Sequence, residues 1–148
     1  MSARPLAVID TNVALDLLVF GNGVCEPLRT ALDQRLLQWI ACEAMRAELA
    51  AVLVRGFGPR WKVDPARVLD AWDRWAVLTP DPAHGRLLCT DADDQKFIDL
   101  AMERGARWLL TRDRALLKLA RRARERDVVV QTPDAWSRRA QGGLPGAD

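Results

Sequence analysis

Four acidic side chains could combine into one site: Asp10, Glu48, Asp94 and Asp113. Asp10 directly follows the apolar run Leu6–Ile9, and open α/β sheets build their sites at the carboxyl ends of such buried strands. No histidine, serine or cysteine stands beside these acids as a catalytic partner. Ligand sets made only of oxygen suit Mg²⁺ or Mn²⁺, which activate water and stabilise the charge at a scissile phosphate. The set predicts a divalent-metal site and phosphoryl chemistry.

Each acid also has a purely structural explanation. Asp10 and Asp113 both precede predicted helices, where aspartate is a common cap or turn residue. Glu48 lies on the shoulder of an apolar helical stripe, between small neighbours that leave room at a cleft edge. It could instead be a surface residue paired with Arg55. The four acids together are therefore more specific than any one of them.

Three acids, Asp91, Asp93 and Asp94, come before an apolar helix face that includes Phe97. Acids in a first helical turn are common because they meet the positive end of the helix dipole. Three carboxylates within four residues nevertheless repel one another, and a bound cation would relieve that repulsion. Asp94 shares the buried face and is predicted to point inward. Asp91 is predicted to cap the helix or to support the site, and Asp99 to be solvated.

Short apolar runs alternate with longer amphipathic segments, which predicts an α/β fold with a parallel sheet covered on both faces. The predicted strands are Leu6–Ile9, Leu37–Ala41, Ala76–Leu78, Trp108–Leu110 and Val128–Gln131. The predicted helices are Val13–Phe20, Glu26–Gln34, Cys42–Val54, Pro65–Trp75, Asp94–Arg104, Arg114–Arg126 and Pro133–Arg139. If the fourth strand neighbours the first across a reversal of strand order, Asp10 and Asp113 face each other over one crevice.

The bulk properties fit one domain in the aqueous phase. The chain has 148 residues and a net charge of +2, which is too small to argue by itself for nucleic acid. Its three cysteines form no CxxC pair, so neither a disulfide framework nor a zinc site is indicated. No apolar run is long enough to cross a membrane, and the N-terminus does not resemble a signal peptide. We expect a cytoplasmic protein with a domain at residues 1–140 and a flexible tail at 141–148.

Four segments, taken in this order along the chain, resemble the PIN-domain family of metal-dependent ribonucleases. They are Ile9–Val13, Glu48–Arg55, Asp91–Ala101 and Leu110–Leu117, and the resemblance runs from Val8 to about Trp136. The segments look like the branch of toxin components in prokaryotic type II toxin–antitoxin systems. The resemblance implies a Rossmann-like three-layer sandwich around a central parallel five-stranded sheet.

The same resemblance implies roles for individual residues. It makes Asp10, Glu48, Asp94 and Asp113 the catalytic, metal-binding tetrad for Mg²⁺ or Mn²⁺, with Asn12, Thr111 and Asp91 in support. It also implies an RNA substrate cut in single-stranded regions, a homodimer, and an antitoxin protein that obstructs the site. One departure is visible, because Ala41-Cys42 stands where a small hydroxyl residue often follows the second strand. That departure affects only a helix cap.

Some basic and aromatic residues could contact RNA. Arg112 and Arg114 flank Asp113 and are predicted to contact the RNA backbone, which would supply affinity without sequence preference. The more distal bases up to Arg126 are predicted to form a solvated helix face. Trp61, in a glycine-rich and proline-rich loop, could stack on a base.

Other functions fit less well. A non-catalytic PIN-type module that binds RNA or protein is the main alternative, but such modules usually lack one or more of the acids. A phospho-aspartyl enzyme of the haloacid-dehalogenase type needs an acid where Asn12 stands, and a receiver domain needs an acid pair at the first strand. The absence of a GxGxxG motif after any strand argues against a dinucleotide-binding protein.

Overall fold

Five short strands run parallel in one sheet of the computed structural model, which describes residues 4–141. They are β1 (Leu6–Ile9), β2 (Gln38–Ala41), β3 (Ala76–Leu78), β4 (Trp108–Leu110) and β5 (Val129–Gln131). Their order across the sheet is β3-β2-β1-β4-β5, and all neighbouring pairs are parallel. The predicted α/β fold with a five-stranded parallel sheet is confirmed.

β1 lies at the centre of the sheet because its side chains can be buried on both faces. Ala7 and Val8 point to opposite faces and are both fully buried, so helices cover the two sides of the strand. Ala7 is in register with Trp39 of β2 on one side and with Trp108 of β4 on the other. The strand order reverses here, since the chain continues from β1 to β2 and later returns to β4. The crevice expected from the sequence therefore opens between β1 and β4.

Eight α-helices lie among the described residues. They are α1 (Thr11–Leu15), α2 (Glu26–Asp33), α3 (Glu43–Arg55), α4 (Pro65–Trp75), α5 (Gln95–Arg104), α6 (Arg114–Leu117), α7 (Ala120–Arg124) and α8 (Pro133–Gln141). Short 3-10 helices at Gly23–Cys25 and Ala92–Asp94 precede α2 and α5.

Two predicted helices differ from the observed ones. The first continues beyond α1 as a π-helix, Asp16–Phe20, and ends at Gly21 in the left-handed conformation. The predicted helix Arg114–Arg126 is divided into α6 and α7. At the break, the backbone N–H of Leu119 donates to the carbonyl of Leu116 at 2.9 Å, a tighter turn that buries both leucines. A regular helical period does not anticipate either change of pitch.

The predicted helix boundaries with a chemical cap are confirmed. An oxygen of Asp64 accepts from the backbone N–H of Ala66 at 3.0 Å, and Thr132 caps α8 in a similar way. Gly105 ends α5 in the left-handed conformation, with φ of 62°. Cys42 stands at the N-cap of α3 without a side-chain cap hydrogen bond, which is the effect expected from its departure from a hydroxyl residue.

The prediction that Asp99 is solvated was wrong. Only 7% of Asp99 is exposed, because the segment between β3 and α5 folds over this face of α5. Its Oδ1 accepts from the backbone N–H of Gly85 at 2.9 Å and from the side chain of Gln95 at 2.8 Å. A helical wheel does not show that a distant segment covers a polar position.

Part of the predicted tail lies outside the description. Residues 142–148 are not among the described residues, and Gln141 is assigned to α8. Within residues 4–141, no helix combines the length and apolar character that crossing a bilayer requires.

The contact between Gly85 and Asp99 should limit substitution at position 85. A Cβ atom there would lie 2.9 Å from Asp99 Oδ1, so Gly85→Ala should destabilise the fold by about 1–3 kcal/mol. Thermal unfolding measures this as a decrease of the midpoint by roughly 2–4 °C per kcal/mol. Gly23→Ala is the control, since a Cβ at Gly23 meets open space. Equal midpoints for the two variants would contradict this account of the contact.

Candidate metal centre

Asp10 and Asp113 meet at the carboxyl edge of the sheet because β1 and β4 are neighbours. The backbone N–H of Asp10 donates to the carbonyl of Leu110 at 3.1 Å, which extends the β1–β4 pairing to the first acid. Asp113 follows the end of β4 at the N-cap of α6. The expected adjacency of the first and fourth strands is therefore confirmed.

Asp10 is a buried carboxylate held by two hydrogen bonds. It is 3% exposed. Its Oδ1 accepts from the backbone N–H of Val13 at 2.9 Å and thereby caps α1, while its Oδ2 accepts from the hydroxyl of Thr111. Burial raises the pKa of Asp10 to about 6, although both hydrogen bonds oppose that increase. The negative charges of Asp113 and Glu48 raise it slightly further. Asp10 is thus a helix cap that also interacts electrostatically with Asp113 and Glu48.

Thr111 connects two of the acids. It is fully buried, and its hydroxyl donates to Asp10 while accepting from the backbone N–H of Asp113 at 2.9 Å. Asp113 in turn caps α6 by accepting from the backbone N–H of Ala115 at 2.7 Å. One hydroxyl therefore sets the relative positions of the carboxylates that follow β1 and β4.

Asp91, Asp94 and Asp113 form the closest group of carboxylates among the described residues. One oxygen from each lies within 4.8 Å of the others. Burial and the proximity of Asp113 raise the pKa of Asp94 to about 8, whereas a hydrogen bond from Asp94 lowers the pKa of Asp113. The two side chains therefore hold one proton between them near neutral pH. Asp91 is exposed and caps the 3-10 helix, as predicted, by accepting from the backbone N–H of Asp93.

These residues fit a divalent cation. Asp94 Oδ2 is buried and has no hydrogen-bond partner within the described part of the chain. A buried acceptor without a donor is costly, and it lies in the group of three carboxylates whose charges repel. A hard cation would satisfy this oxygen and remove the repulsion, and carboxylate oxygens are the ligands that Mg²⁺ and Mn²⁺ prefer.

Glu48 reaches the same edge from α3, where two residues that the sequence reasoning missed hold it. Its Oε2 accepts from the hydroxyl of Thr11, and its Oε1 accepts from Lys96 Nζ at 2.7 Å. The side chains of Lys96 and Glu48 are 20% and 30% exposed, so this ion pair is partly shielded from water. The prediction that Glu48 faces the cleft agrees with these contacts, and its alternative pairing with Arg55 is absent from the ion pairs of residues 4–141. A signal was present, because Thr11 directly follows Asp10 and Lys96 stands two residues after Asp94.

The remaining predicted residues are Asn12, Arg112 and Arg114, which do not belong to the group of three carboxylates. Asn12 is exposed in α1, and its predicted supporting role stays a prediction. Arg112 forms two ion pairs, with Asp16 at 3.0 Å and with Asp134 at 2.6 Å. To contact RNA, its guanidinium would have to leave these carboxylates. Arg114 is exposed, and its predicted RNA contact stays untested.

The raised pKa values predict how stability depends on pH without metal. In the folded protein, Asp10 and Asp94 keep their protons up to about pH 6 and about pH 8, whereas an unfolded aspartate loses its proton near 3.8. Between about pH 4 and pH 8 the folded state therefore binds more protons, so the free energy of unfolding falls as pH rises. In EDTA, the unfolding midpoint should be lower at pH 8 than at pH 5 by about 4 °C or more.

Two variants separate this effect from a general response to pH. Asp94→Asn should flatten the dependence because it removes the carboxyl with the higher pKa. Asp33→Asn, at the exposed end of α2, should keep the wild-type slope. Added Mn²⁺ should raise the midpoint more at pH 8 than at pH 6, since the cation binds the deprotonated acids. A midpoint in EDTA that rises from pH 5 to pH 8 would contradict the raised pKa values of Asp10 and Asp94.

Comparison with known proteins agrees with the fold. A family model described as PIN domain matches residues 6–115, well over half of the chain, and the match contains all four acids. No curated protein matches the chain significantly.

Proposed function

Because the chain belongs to the PIN-domain family, whose members are generally nucleases, we propose that it is a metal-dependent endoribonuclease. One observation carries this proposal: one oxygen each of Asp91, Asp94 and Asp113 lies within 4.8 Å of the others, and Asp94 Oδ2 is buried without a hydrogen-bond donor among residues 4–141. Phosphodiester hydrolysis is the reaction for which such oxygen-only sites are suited, because negative charge develops on the phosphate in the transition state.

The roles of the residues follow from their contacts. Asp94 and Asp113 would hold a Mg²⁺ or Mn²⁺ ion together with Asp91, the third member of the close group. Asp10 would also bind the ion, and Glu48 would bind it directly or through a water. When bound, the cation supplies the positive charge that polarises the phosphodiester and activates a water for in-line attack on phosphorus. Hydrolysis would add the oxygen of the water to phosphorus, break the P–O bond to the 3′ oxygen and place a proton on that oxygen, which would leave a 5′-phosphate and a 3′-hydroxyl.

Thr111 and Lys96 keep the acids in place for this reaction. The hydroxyl of Thr111 binds the carboxylate of Asp10 and the backbone N–H of Asp113, and the carboxylate of Asp113 is held by the backbone N–H of Ala115. The ammonium of Lys96 holds Glu48 from the α5 side. Contacts of this kind orient metal ligands before the cation arrives, which lowers the cost of binding it.

Cleavage of single-stranded RNA tests the proposal. Purified protein should cut an oligoribonucleotide in Mn²⁺ and not in EDTA, and Asp10→Asn and Asp94→Asn should each lower the rate at least about 100-fold. Asp33→Asn is the matched control, because it makes the same chemical change outside the site. Equal cleavage by the wild type and both site variants would contradict the assignment of Asp10 and Asp94 to the active site. RNA binding without any cleavage would favour a non-catalytic PIN-type module.

The bridging hydroxyl gives a second test. Thr111→Val keeps the shape of the side chain but removes both hydrogen bonds, so cleavage should fall about 10–100-fold. Thr111→Ser keeps the hydroxyl and should retain most of the activity. Isothermal titration with Mn²⁺ should show weaker binding for the valine variant alone. If the valine and serine variants behave alike, the hydroxyl does not position these carboxylates.

We also propose a biological setting for this activity. The four segments that resemble the toxin branch of the family support a toxin of a type II toxin–antitoxin pair, acting in the cytoplasm. A homodimer and an antitoxin protein that covers the acids belong to the same proposal. A small adjacent open reading frame whose product copurifies with this chain and blocks RNA cleavage would support it. A product that binds without inhibiting cleavage would speak against it.

A further inference from the structure

A basic loop with two aromatic residues joins α3 to α4. This basic loop is taken as residues 55–62, from Arg55 at the end of α3 onward, with the sequence Arg-Gly-Phe-Gly-Pro-Arg-Trp-Lys. No acidic residue occurs between positions 49 and 63. Arg55, Arg60 and Lys62 are all exposed. The ion pairs and hydrogen bonds of the described residues 4–141 include none made by these three side chains. The loop therefore presents three exposed cations that form no ion pair within residues 4–141.

Trp61 is exposed, and its indole ring is fixed from one side. Trp61 is 46% exposed, although large aromatic residues are usually mostly buried. Phe20 meets it edge to face, with the ring centroids 4.9 Å apart and the planes at 85°. Phe20 also packs edge to face on Phe57, at 5.2 Å. These contacts hold the indole against the π-helix and leave about half of it open to solvent.

The backbone of the basic loop is also ordered by a turn. The N–H of Trp61 donates to the carbonyl of Gly58 at 3.3 Å, and Pro59 occupies the second position of this turn, where its fixed φ is favourable. Arg60 is then at the third position, next to Trp61. An anchored ring beside unpaired cations is the combination that proteins use to bind single-stranded nucleic acid, where bases stack and phosphates are neutralised.

We propose that the basic loop binds single-stranded RNA, with a base stacked on Trp61 and neighbouring phosphates contacted by Arg60 and Lys62. This inference rests on the proposed ribonuclease function and names a substrate contact outside the acidic site. Single-stranded RNA is the form that fits, because the bases of a duplex are stacked on one another and are not free to pack on an indole. The charge of the loop complements the phosphate backbone and does not select a sequence.

The basic loop lies on elements that also carry the acids. Arg55 and Glu48 belong to the same helix and are two turns apart, a separation of about 10 Å along its axis. Phe20, which supports Trp61, ends the helical segment that begins beside Asp10. A bound strand could therefore contact the basic loop with one nucleotide while a neighbouring part of the strand reaches the acids.

RNA binding in EDTA tests this inference without cleavage. The probe is a fluorescein-labelled oligouridine, and its anisotropy is measured as the full chain is added. Trp61→Leu should weaken binding about tenfold, whereas Trp61→Phe keeps an aromatic ring and should weaken it only about two- to threefold. Unchanged binding by the leucine variant would overturn the proposal and would leave Trp61 as a contact for a protein partner. Far-UV circular dichroism and the unfolding midpoint verify that both variants fold.

The cations are tested by the salt dependence of binding. Arg60→Ala combined with Lys62→Ala should lower the slope of log affinity against log salt by about 1.4, since each phosphate contact on single strands contributes about 0.7. The control combines Arg121→Ala with Arg122→Ala, which removes the same charge from the exposed side of α7. Equal slopes for the two double variants would mean that only net charge matters, and the proposal would be wrong.

The result also separates this inference from the proposed function. Asp33→Asn, which lies outside both the acidic site and the basic loop, should bind the oligouridine as tightly as the wild type. If the wild type binds through Trp61 yet cuts no RNA in Mn²⁺, the ribonuclease proposal fails and the RNA site stands. If the wild type cuts RNA and Trp61→Leu has the same KM and kcat, the ribonuclease proposal stands and the RNA site fails.

Discussion

The repulsion among carboxylates at the edge between β1 and β4 is the constraint on which the site depends. A parallel sheet brings the carboxyl ends of neighbouring strands together, so Asp10 and Asp113 are adjacent as soon as β1 pairs with β4. Asp94 is added from the start of α5, where the proton that it shares with Asp113 relieves part of the repulsion. Backbone N–H groups and Thr111 hold the acids in place despite their charge. These contacts allow the site to form although its carboxylates still repel one another.

The sequence predicted the elements that follow from hydrophobic burial. The five strands are short apolar runs, and their ends could be read to within a residue because polar side chains begin where burial stops. The four acids could be located for the same reason, since each lies just beyond a strand or on the inner side of a helix. The caps at Asp64 and Gly105 were predicted because their chemistry is local.

The errors concern contacts between segments that are far apart in the sequence. Asp99 was expected in solvent, yet the segment between β3 and α5 folds over it. The backbone N–H of Gly85, 14 positions earlier, donates a hydrogen bond to its carboxylate. Lys96 contacts Glu48 but is 48 positions away from it in the sequence. The position of Lys96 close to Asp94 in the sequence indicates a residue near the site, but it does not show which acid Lys96 pairs with. The π-helix and the break between α6 and α7 depend on how leucines and aromatic rings pack in three dimensions. Such features follow from tertiary contacts and not from the periodicity of a single element.

The ion pairs of Arg112 affect the order in which parts of the site form during synthesis of the chain. Arg112 joins the π-helix through Asp16 to α8 through Asp134, and it stands between Thr111 and Asp113. Asp134 is translated after all four acids of the tetrad. A nascent chain therefore carries the complete acidic set before the segment around Arg112 acquires its second anchor. The second ion pair of Arg112 therefore forms only after α8 has left the ribosome, later than the synthesis of all four acids.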